Sequence, residues 1–186
     1  MADRDWNDVE ASRNGDDEAY ARLVKRYEEE IAAQMWRFSR DPVVHRELVQ
    51  DVFVEAYYSL KSFRGDAPFL HWLRRIATRV GYRYWKKRGR ETVKVPLEEW
   101  DGAEEPAISL DPARAAAILH SLLARLRTKD RLVLTLMYFE DCTISEIARR
   151  TGWSQGMIKM RAHRARKKLR KIAEQDNLLE ELRWTT

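Results

Sequence analysis

Residues 143–170, TISEIARRTGWSQGMIKMRAHRARKKLR, contain the signals of two helices separated by a turn. Thr143 can cap a first short helix, and Gly152 suits the left-handed backbone conformation in which many helices end. Ser154 can then cap a second helix. This order of cap, glycine and second cap predicts a helix-turn-helix.

The predicted second helix has an apolar seam whose members recur every three or four residues: Ile158, Ala162, Ala165, Leu169 and Ile172. On a helix of 3.6 residues per turn, such a seam faces inward and leaves the basic residues outside. A solvated basic face, a calmodulin-type helix or a membrane-surface helix would carry similar charge. The two caps and the glycine turn favour a DNA-recognition helix, whose outer face near the N-terminus touches bases.

Two kinds of contact are expected from this outer face. Base discrimination is expected from Lys159, Met160, His163 and Arg164. Phosphate contacts, which supply affinity and register, are expected from Arg161, Arg166 and Arg170.

The charges of the chain are unevenly distributed. Eight Lys or Arg residues and no acid lie between Asp66 and Glu91, and ten with no acid lie between Glu146 and Glu174. The remaining 17 basic residues are set against all 30 acidic ones, so the rest of the chain is acidic. This pattern predicts two basic surfaces for a polyanionic partner.

The first basic segment, FRGDAPFLHWLRRIATRVGYRYWKKRGR at residues 63–90, predicts a different kind of surface. We expect Leu73, Ala77, Val80 and Tyr84 to face inward. The opposite face would then carry Trp72, Arg75, Arg79, Tyr82, Arg83 and Lys86. Aromatic rings among cations can stack unpaired bases while the cations hold the phosphate chain. The alternative is that Phe69 and Trp72 belong to the core and the arginines only keep the helix solvated.

The rest of the chain also predicts helices and no strands. Asp16 or Asp17 can cap a helix marked by Leu23, Tyr27, Ile31 and Met35, and Pro42 precedes one marked by Leu48, Val52, Ala56 and Leu60. We expect an all-α protein with two helical domains. The domain limits are 1–90, a flexible linker at 91–112, 113–173, and a C-terminal extension at 174–186, which a regulator could contact.

Several classes of protein are disfavoured. Cys142 is the single cysteine and is expected to be a small side chain between helices, while no Cys/His spacing predicts a metal site. No apolar run has membrane-spanning length and no leader is recognisable, so we expect a cytoplasmic protein without membrane insertion. The four histidines are scattered and no glycine-rich phosphate loop occurs, which argues against an enzyme, a small-molecule substrate or a cofactor.

Two stretches together resemble a known family. ELVQDVFVEAYYSLKSFRGDAPFLHWLRRIATRVGYRYWKK, residues 47–87, is similar to region 2 of the bacterial sigma-70 family in its extracytoplasmic-function (ECF) class. LTLMYFEDCTISEIARRTGWSQGMIKMRAHRARKKLR, residues 134–170, is similar to region 4. The resemblance implies a non-catalytic subunit that binds core RNA polymerase and directs initiation at promoter DNA. It also implies an anti-sigma factor as regulator. The alternative hypothesis is a dimeric DNA-binding regulator, which would leave the basic and aromatic surface of residues 63–90 unexplained.

The resemblance also implies site residues. Region 2 would recognise and melt the minus-ten element, capturing a flipped base, and region 4 would read the minus-thirty-five element. Polymerase binding falls on Gln50, Asp51 and Val54. Minus-ten contacts fall on Phe63, Arg64, Phe69, Trp72, Arg75, Arg79, Arg83 and Lys86. Minus-thirty-five contacts fall on Ser154, Lys159, Met160, Arg161, His163, Arg164 and Arg166. The chain departs from the common family pattern at Arg79, at Leu126-Arg127 and at Gly156-Met157-Ile158.

Overall fold

The computed structural model describes residues 2–91 and 112–176, with side chains described over residues 4–89 and 118–176. Regular structure in these ranges is helical throughout, which confirms the predicted all-α class. The chain divides into two compact units, with the main boundary after Lys86. The predicted linker at 91–112 and extension at 174–186 lie almost wholly outside the described residues, and the domain limits stay predictions.

Four α-helices and one short 3-10 turn form the N-terminal unit: α1 Ala2–Arg13, α2 Asp17–Met35, α3 Pro42–Ser59, the turn Leu60–Ser62 and α4 Phe69–Glu91. As predicted, Asp16 caps α2, where its carboxylate accepts a hydrogen bond from the Ala19 amide at 3.0 Å. Asp41 caps α3 in the same way, and Pro42 occupies the first turn. The apolar stripes predicted for α2 and α3 are buried.

The inward face of α4 differs from the prediction at its C-terminal end. Leu73, Ala77 and Val80 are buried as expected, but Tyr84 is only half-buried and Trp85 takes the core position. The Trp85 indole donates to the Phe38 carbonyl at 2.8 Å, and the two ring centroids lie 4.5 Å apart with the rings tilted by 42°. Gly81, one turn before Trp85, leaves the space that the Phe38 ring fills, because a Cβ there would lie 2.4 Å from that ring.

The sequence reasoning missed α1, which is attached to α2 chiefly by charge. Asp8 accepts from Arg22 at 2.9 Å and from Arg26 at 2.8 Å. Asp5 accepts from Arg26 at 2.6 Å and from the Tyr27 hydroxyl at 2.5 Å. Val9 is the buried large aliphatic residue of this helix. A helix with so narrow an apolar stripe gives little periodic signal in the sequence.

The C-terminal unit is built from α5 Pro112–Ala124, α6 Thr128–Tyr138, α7 Ile144–Thr151 and α8 Gln155–Gln175. Its core includes Leu123, Leu126, Leu134 and Ala165, with Phe139 and Leu169 packed against them. Cys142 is buried, as expected of a small side chain between helices. Leu119 of α5 remains 39% exposed.

Acid is expected to weaken the attachment of α1. Burial is the largest influence on the pKa of Asp8 and raises it, but the hydrogen bonds and charges of Arg26 and Arg22 together hold that pKa below its usual 3.8. A carboxyl with a depressed folded-state pKa stabilises the fold fully above its unfolded pKa, and this stabilisation is lost as pH falls through the folded pKa. Asp8→Asn should therefore lower the free energy of unfolding at pH 7 and lose less stability than wild type between about pH 5 and pH 3.

Urea unfolding of the full-length protein across that pH range measures this effect. Glu29→Gln, at an exposed position on α2, is the matched control and should behave as wild type. An Asp8→Asn curve parallel to that of wild type would show that the ion pairs do not hold α1.

Candidate nucleic-acid interface

The predicted helix-turn-helix is present as α7 and α8, with both caps formed. Thr143 and Glu146 make a reciprocal capping box: the Glu146 carboxylate accepts from the Thr143 amide at 2.8 Å, and the Thr143 hydroxyl accepts from the Glu146 amide at 3.2 Å. Gly152 ends α7 with φ of 75°. The Ser154 hydroxyl accepts from the Met157 amide at 3.3 Å and caps α8. The local sequence therefore determines where α8 begins.

The outer face of α8 presents the residues predicted to read bases. Ile158, Ala162, Ala165 and Ile172 are buried and Leu169 is half-buried, which confirms the inward seam. As a result Lys159, Met160, His163 and Arg164 are all exposed, and 51% of Met160 is open to solvent. Arg166 is also exposed and donates to the Tyr138 hydroxyl at 3.2 Å. Contacts of these side chains with DNA stay a prediction.

Arg161 does not lie on that outer face, in contrast to its predicted position. Its guanidinium donates to the carboxylate of Asp130 on α6 at 2.9 Å, and the two side chains are only 16% and 5% exposed. The guanidinium also lies over the Trp153 ring, 5.6 Å from the centroid. Arg161 immediately precedes the seam residue Ala162, so a long side chain there can turn toward α6. In this conformation Arg161 joins α8 to α6.

The α4 face expected to meet single-stranded DNA is basic and solvent-accessible. Arg75, Arg79, Arg83 and Lys86 are exposed, whereas Trp72 and Tyr82 are half-buried. Glu55 of α3 pairs with Arg83 and, at 3.4 Å, with Arg79. Both arginines remain more than half exposed, so these surface pairs leave them available to a phosphate chain.

Phe63 and Phe69 occupy the core and not the surface, which supports the alternative raised from the sequence for Phe69. They are 5% and 2% exposed, and their rings meet edge to face at 5.4 Å. The centroid of the Trp72 ring lies 5.4 Å from that of each phenylalanine, and the Tyr27 centroid lies 5.7 Å from that of Phe69. Neither phenylalanine can touch a base in this conformation. The two rings instead lie at the two ends of residues 64–68, the exposed part of the α3–α4 loop at residues 60–68.

A groove between α2 and α3 lies on the surface predicted to bind polymerase. Its volume is about 440 Å³, and Gln50 and Val54 line it together with Tyr20, Val24, Tyr57 and Tyr58. Val54 is 46% exposed and Tyr58 is 82% exposed. Asp51 is exposed on α3 but is not among the lining residues. Exposed valine and tyrosine side chains grouped in this way are typical of protein-binding surfaces.

Within residues 4–89 and 118–176, no three His, Cys, Asp or Glu side chains come together as metal ligands would. Nor does any helix in the described ranges combine the length and apolar character needed to cross a lipid bilayer.

Comparison with protein families assigns both basic surfaces to one family. Residues 23–91 match the model of sigma-70 region 2, and residues 116–169 match that of sigma-70 region 4. The first match contains α2 from residue 23 onward, α3, the α3–α4 loop and α4. The second contains α7 and most of α8, up to residue 169.

Curated relatives match over nearly the whole chain. The RNA polymerase sigma-H factor of Pseudomonas aeruginosa is 29% identical over 183 residues, covering 92% of this chain and 95% of the relative. The ECF RNA polymerase sigma-E factor of Haemophilus influenzae is 30% identical over 174 residues, covering 85% and 89%. The chain belongs to the sigma-70 family, in its extracytoplasmic-function class. It is therefore an RNA polymerase sigma factor, a subunit that directs promoter-specific initiation of transcription.

Solved structures agree with the fold. CnrH, solved in complex with the cytosolic domain of CnrY, is 26% identical with a TM-score of 0.62, and the match covers 95% of this chain and 99% of CnrH. The sigma factor RpoE of Bartonella quintana, solved with the anti-sigma factor NepR, is 23% identical with a TM-score of 0.59. That match covers 83% of this chain and 96% of RpoE, and it shows a shared fold.

The Asp130–Arg161 ion pair is expected to stabilise the helix-turn-helix. Asp130→Ala should lower the free energy of unfolding of the C-terminal unit by about 2–4 kcal/mol, because it leaves a mostly buried guanidinium without its carboxylate. Hydrogen exchange of the α6 and α8 amides in the full-length protein reports this loss.

Asp176→Ala is the matched control, because it removes the exposed pair of Asp176 with Arg125. Its effect should stay within about 0.5 kcal/mol. Equal effects of the two substitutions would contradict a structural role for the Asp130–Arg161 pair.

Proposed function

We propose that the two units of this sigma factor contact promoter DNA in different ways. The α3–α4 loop and the outer face of α4 would bind and help to open the minus-ten element, and the outer face of α8 would read the minus-thirty-five element in duplex form. Each unit exposes a separate basic face, within the segment that matches region 2 or region 4, and this exposure supports the proposal.

The two faces differ in chemistry, and so do the forms of DNA that they are proposed to bind. Trp72 and Tyr82 stand half-buried beside the exposed arginines of α4, an arrangement suited to stacked, unpaired bases and their phosphates. The α8 face has no such rings and begins at a capped helix N-terminus, which suits entry into a major groove. Arg164 can make a bidentate contact with guanine, and Met160 can contact a thymine methyl group.

The minus-ten role of the α3–α4 loop is proposed with its phenylalanines as supports. Phe63 and Phe69 would hold the ends of the loop while Arg64, which is exposed, approaches the DNA. Extrusion of a base from the stack costs a few kcal/mol, and a loop that is already held in position lowers the further cost of binding it.

Core RNA polymerase is the proposed partner of the groove between α2 and α3, through Gln50, Val54 and the neighbouring Asp51. An anti-sigma factor is proposed as a second partner, since RpoE of Bartonella quintana was solved with the anti-sigma factor NepR, and CnrH was solved with the cytosolic domain of CnrY. We further propose that the protein acts in the cytoplasm, where polymerase and promoters are found, and that it binds and positions DNA without performing chemistry itself.

Transcription in vitro with core RNA polymerase and a library of promoter sequences tests the proposed function. The protein should cause initiation at a subset of templates that share two conserved elements. Absence of promoter-dependent initiation, together with tight binding of duplex operators by the protein alone, would support a dimeric DNA-binding regulator in place of a promoter-specificity subunit.

Arg164→Ala should reduce discrimination at one minus-thirty-five base pair by about 1–3 kcal/mol, because a bidentate guanine contact is lost. Arg170→Ala is the matched control: it removes an exposed charge of the same helix and should weaken binding about equally on every sequence. Competition between templates that differ at single positions separates the two effects. A uniform loss with Arg164→Ala would make Arg164 a phosphate contact.

A further inference from the structure

The last turn of α1 holds the α3–α4 loop through a single arginine. Arg13 donates to the Leu60 carbonyl from Nε at 3.3 Å and from Nη2 at 3.1 Å. The same Nη2 donates to the Phe63 carbonyl. The Leu60 carbonyl lies at the start of the 3-10 turn Leu60–Ser62, and the Phe63 carbonyl lies at the residue that follows the turn, directly before Arg64. One planar group, only 19% exposed, therefore connects both ends of the turn to α1.

Trp6, on the same helix, covers the backbone beside Arg64. Gly65 has φ of +77°, and a Cβ there would lie 2.7 Å from the Trp6 ring, so both the backbone and the ring require glycine. The Trp6 ring also lies 6.3 Å from the Phe63 ring, and the Arg13 guanidinium lies over it at 5.5 Å. Residues on both sides of Arg64 thus contact α1.

The connection continues from α1 to α2 through charges. Asp5 and Asp8 accept hydrogen bonds from Arg22, Arg26 and Tyr27, all on α2. A chain of polar contacts therefore runs from α2 through α1 to the carbonyls of the α3–α4 loop. The family model matches from residue 23, so α1 lies before the matched segment.

We propose that Arg13 and Trp6 are positioning residues for minus-ten recognition, which hold the α3–α4 loop in its DNA-binding conformation before DNA arrives. The proposal rests on the minus-ten role proposed above for that loop. A surface loop that must order itself on binding has a conformational entropy cost, and a loop held by prior contacts avoids much of that cost.

A purely structural role for α1 makes a different prediction. If α1 only adds stability, loss of Arg13 weakens the fold and lowers the amount of active protein on every template alike. If Arg13 positions the loop, its loss changes the preference among minus-ten sequences and leaves the preference among minus-thirty-five sequences unchanged.

Hydrogen exchange of the free, full-length protein tests the positioning itself. In Arg13→Ala, the amides of residues 60–66 should exchange faster than in wild type, while those in the middle of α2 and α3 stay protected. Arg13→Lys, which keeps the charge but not the planar group, should be intermediate. Arg4→Ala is the matched control, because it removes an exposed arginine of the same helix and should exchange as wild type. Unchanged exchange at residues 60–66 in Arg13→Ala would overturn the proposal.

Transcription with core polymerase tests the consequence for recognition, on pairs of templates that differ at one minus-ten base or at one minus-thirty-five base pair. For each pair, the initiation ratio is the amount of transcript from the preferred template divided by that from the other. Arg13→Ala should reduce the ratio of the minus-ten pair about three- to tenfold, as expected for the loss of one or two hydrogen bonds. It should leave the ratio of the minus-thirty-five pair as in Arg4→Ala. If Arg13→Ala does not fold, Trp6→Phe provides the same comparison with a smaller expected change. The positioning role would be overturned if both ratios fell equally or if neither ratio fell. Failure of the wild-type protein to initiate on any template would instead refute the proposed function.

Discussion

The N-terminal unit depends on the burial of two phenylalanines where the chain turns from α3 to α4. Phe63 and Phe69 lie at the two ends of the exposed segment 64–68 and pack on each other, on Trp72 and on Tyr27. Burial of a phenylalanine contributes about 1.5–3 kcal/mol, so two of them can hold a loop that is itself polar. Phe69 is the first residue of α4 and faces the core, so the same packing helps to orient the basic side of α4 toward solvent.

In the C-terminal unit, an ion pair contributes to the attachment of the recognition helix. Asp130 and Arg161 are both largely buried, and the Arg161 guanidinium and the Lys129 ammonium each lie over the Trp153 ring, 5.6 Å and 5.7 Å from its centroid. An arginine adjacent to the seam is thereby used for packing, while the remaining cations of α8 stay in solvent. The net charge of a segment consequently overstates the number of cations that it can offer to DNA.

Local signals in the sequence predicted much of the fold. The caps at Asp16, Thr143 and Ser154, the glycine at position 152 and the seam of α8 each depend on neighbours within a few residues, and the structure has all of them. Contacts between distant residues were missed. Trp85 replaced Tyr84 in the core because Phe38 fills the space at Gly81, and Arg161 turned inward because Asp130 of α6 is beside it. Helix α1 was not predicted because charged pairs, and not a wide apolar stripe, connect it to α2.

We propose that two chemically different faces of one chain contact two different parts of a promoter in the same complex. Site-specific photo-crosslinking can distinguish the two contacts, with a photoreactive residue at position 64 or at position 164 of the full-length protein, bound to core polymerase on a selected promoter. Position 64 should cross-link to a single strand of the minus-ten element only in the opened complex, whereas position 164 should cross-link to duplex DNA about two helical turns upstream. Cross-linking of both positions to the same duplex site, or of position 64 to no DNA at all, would show that the two faces do not bind separate promoter elements.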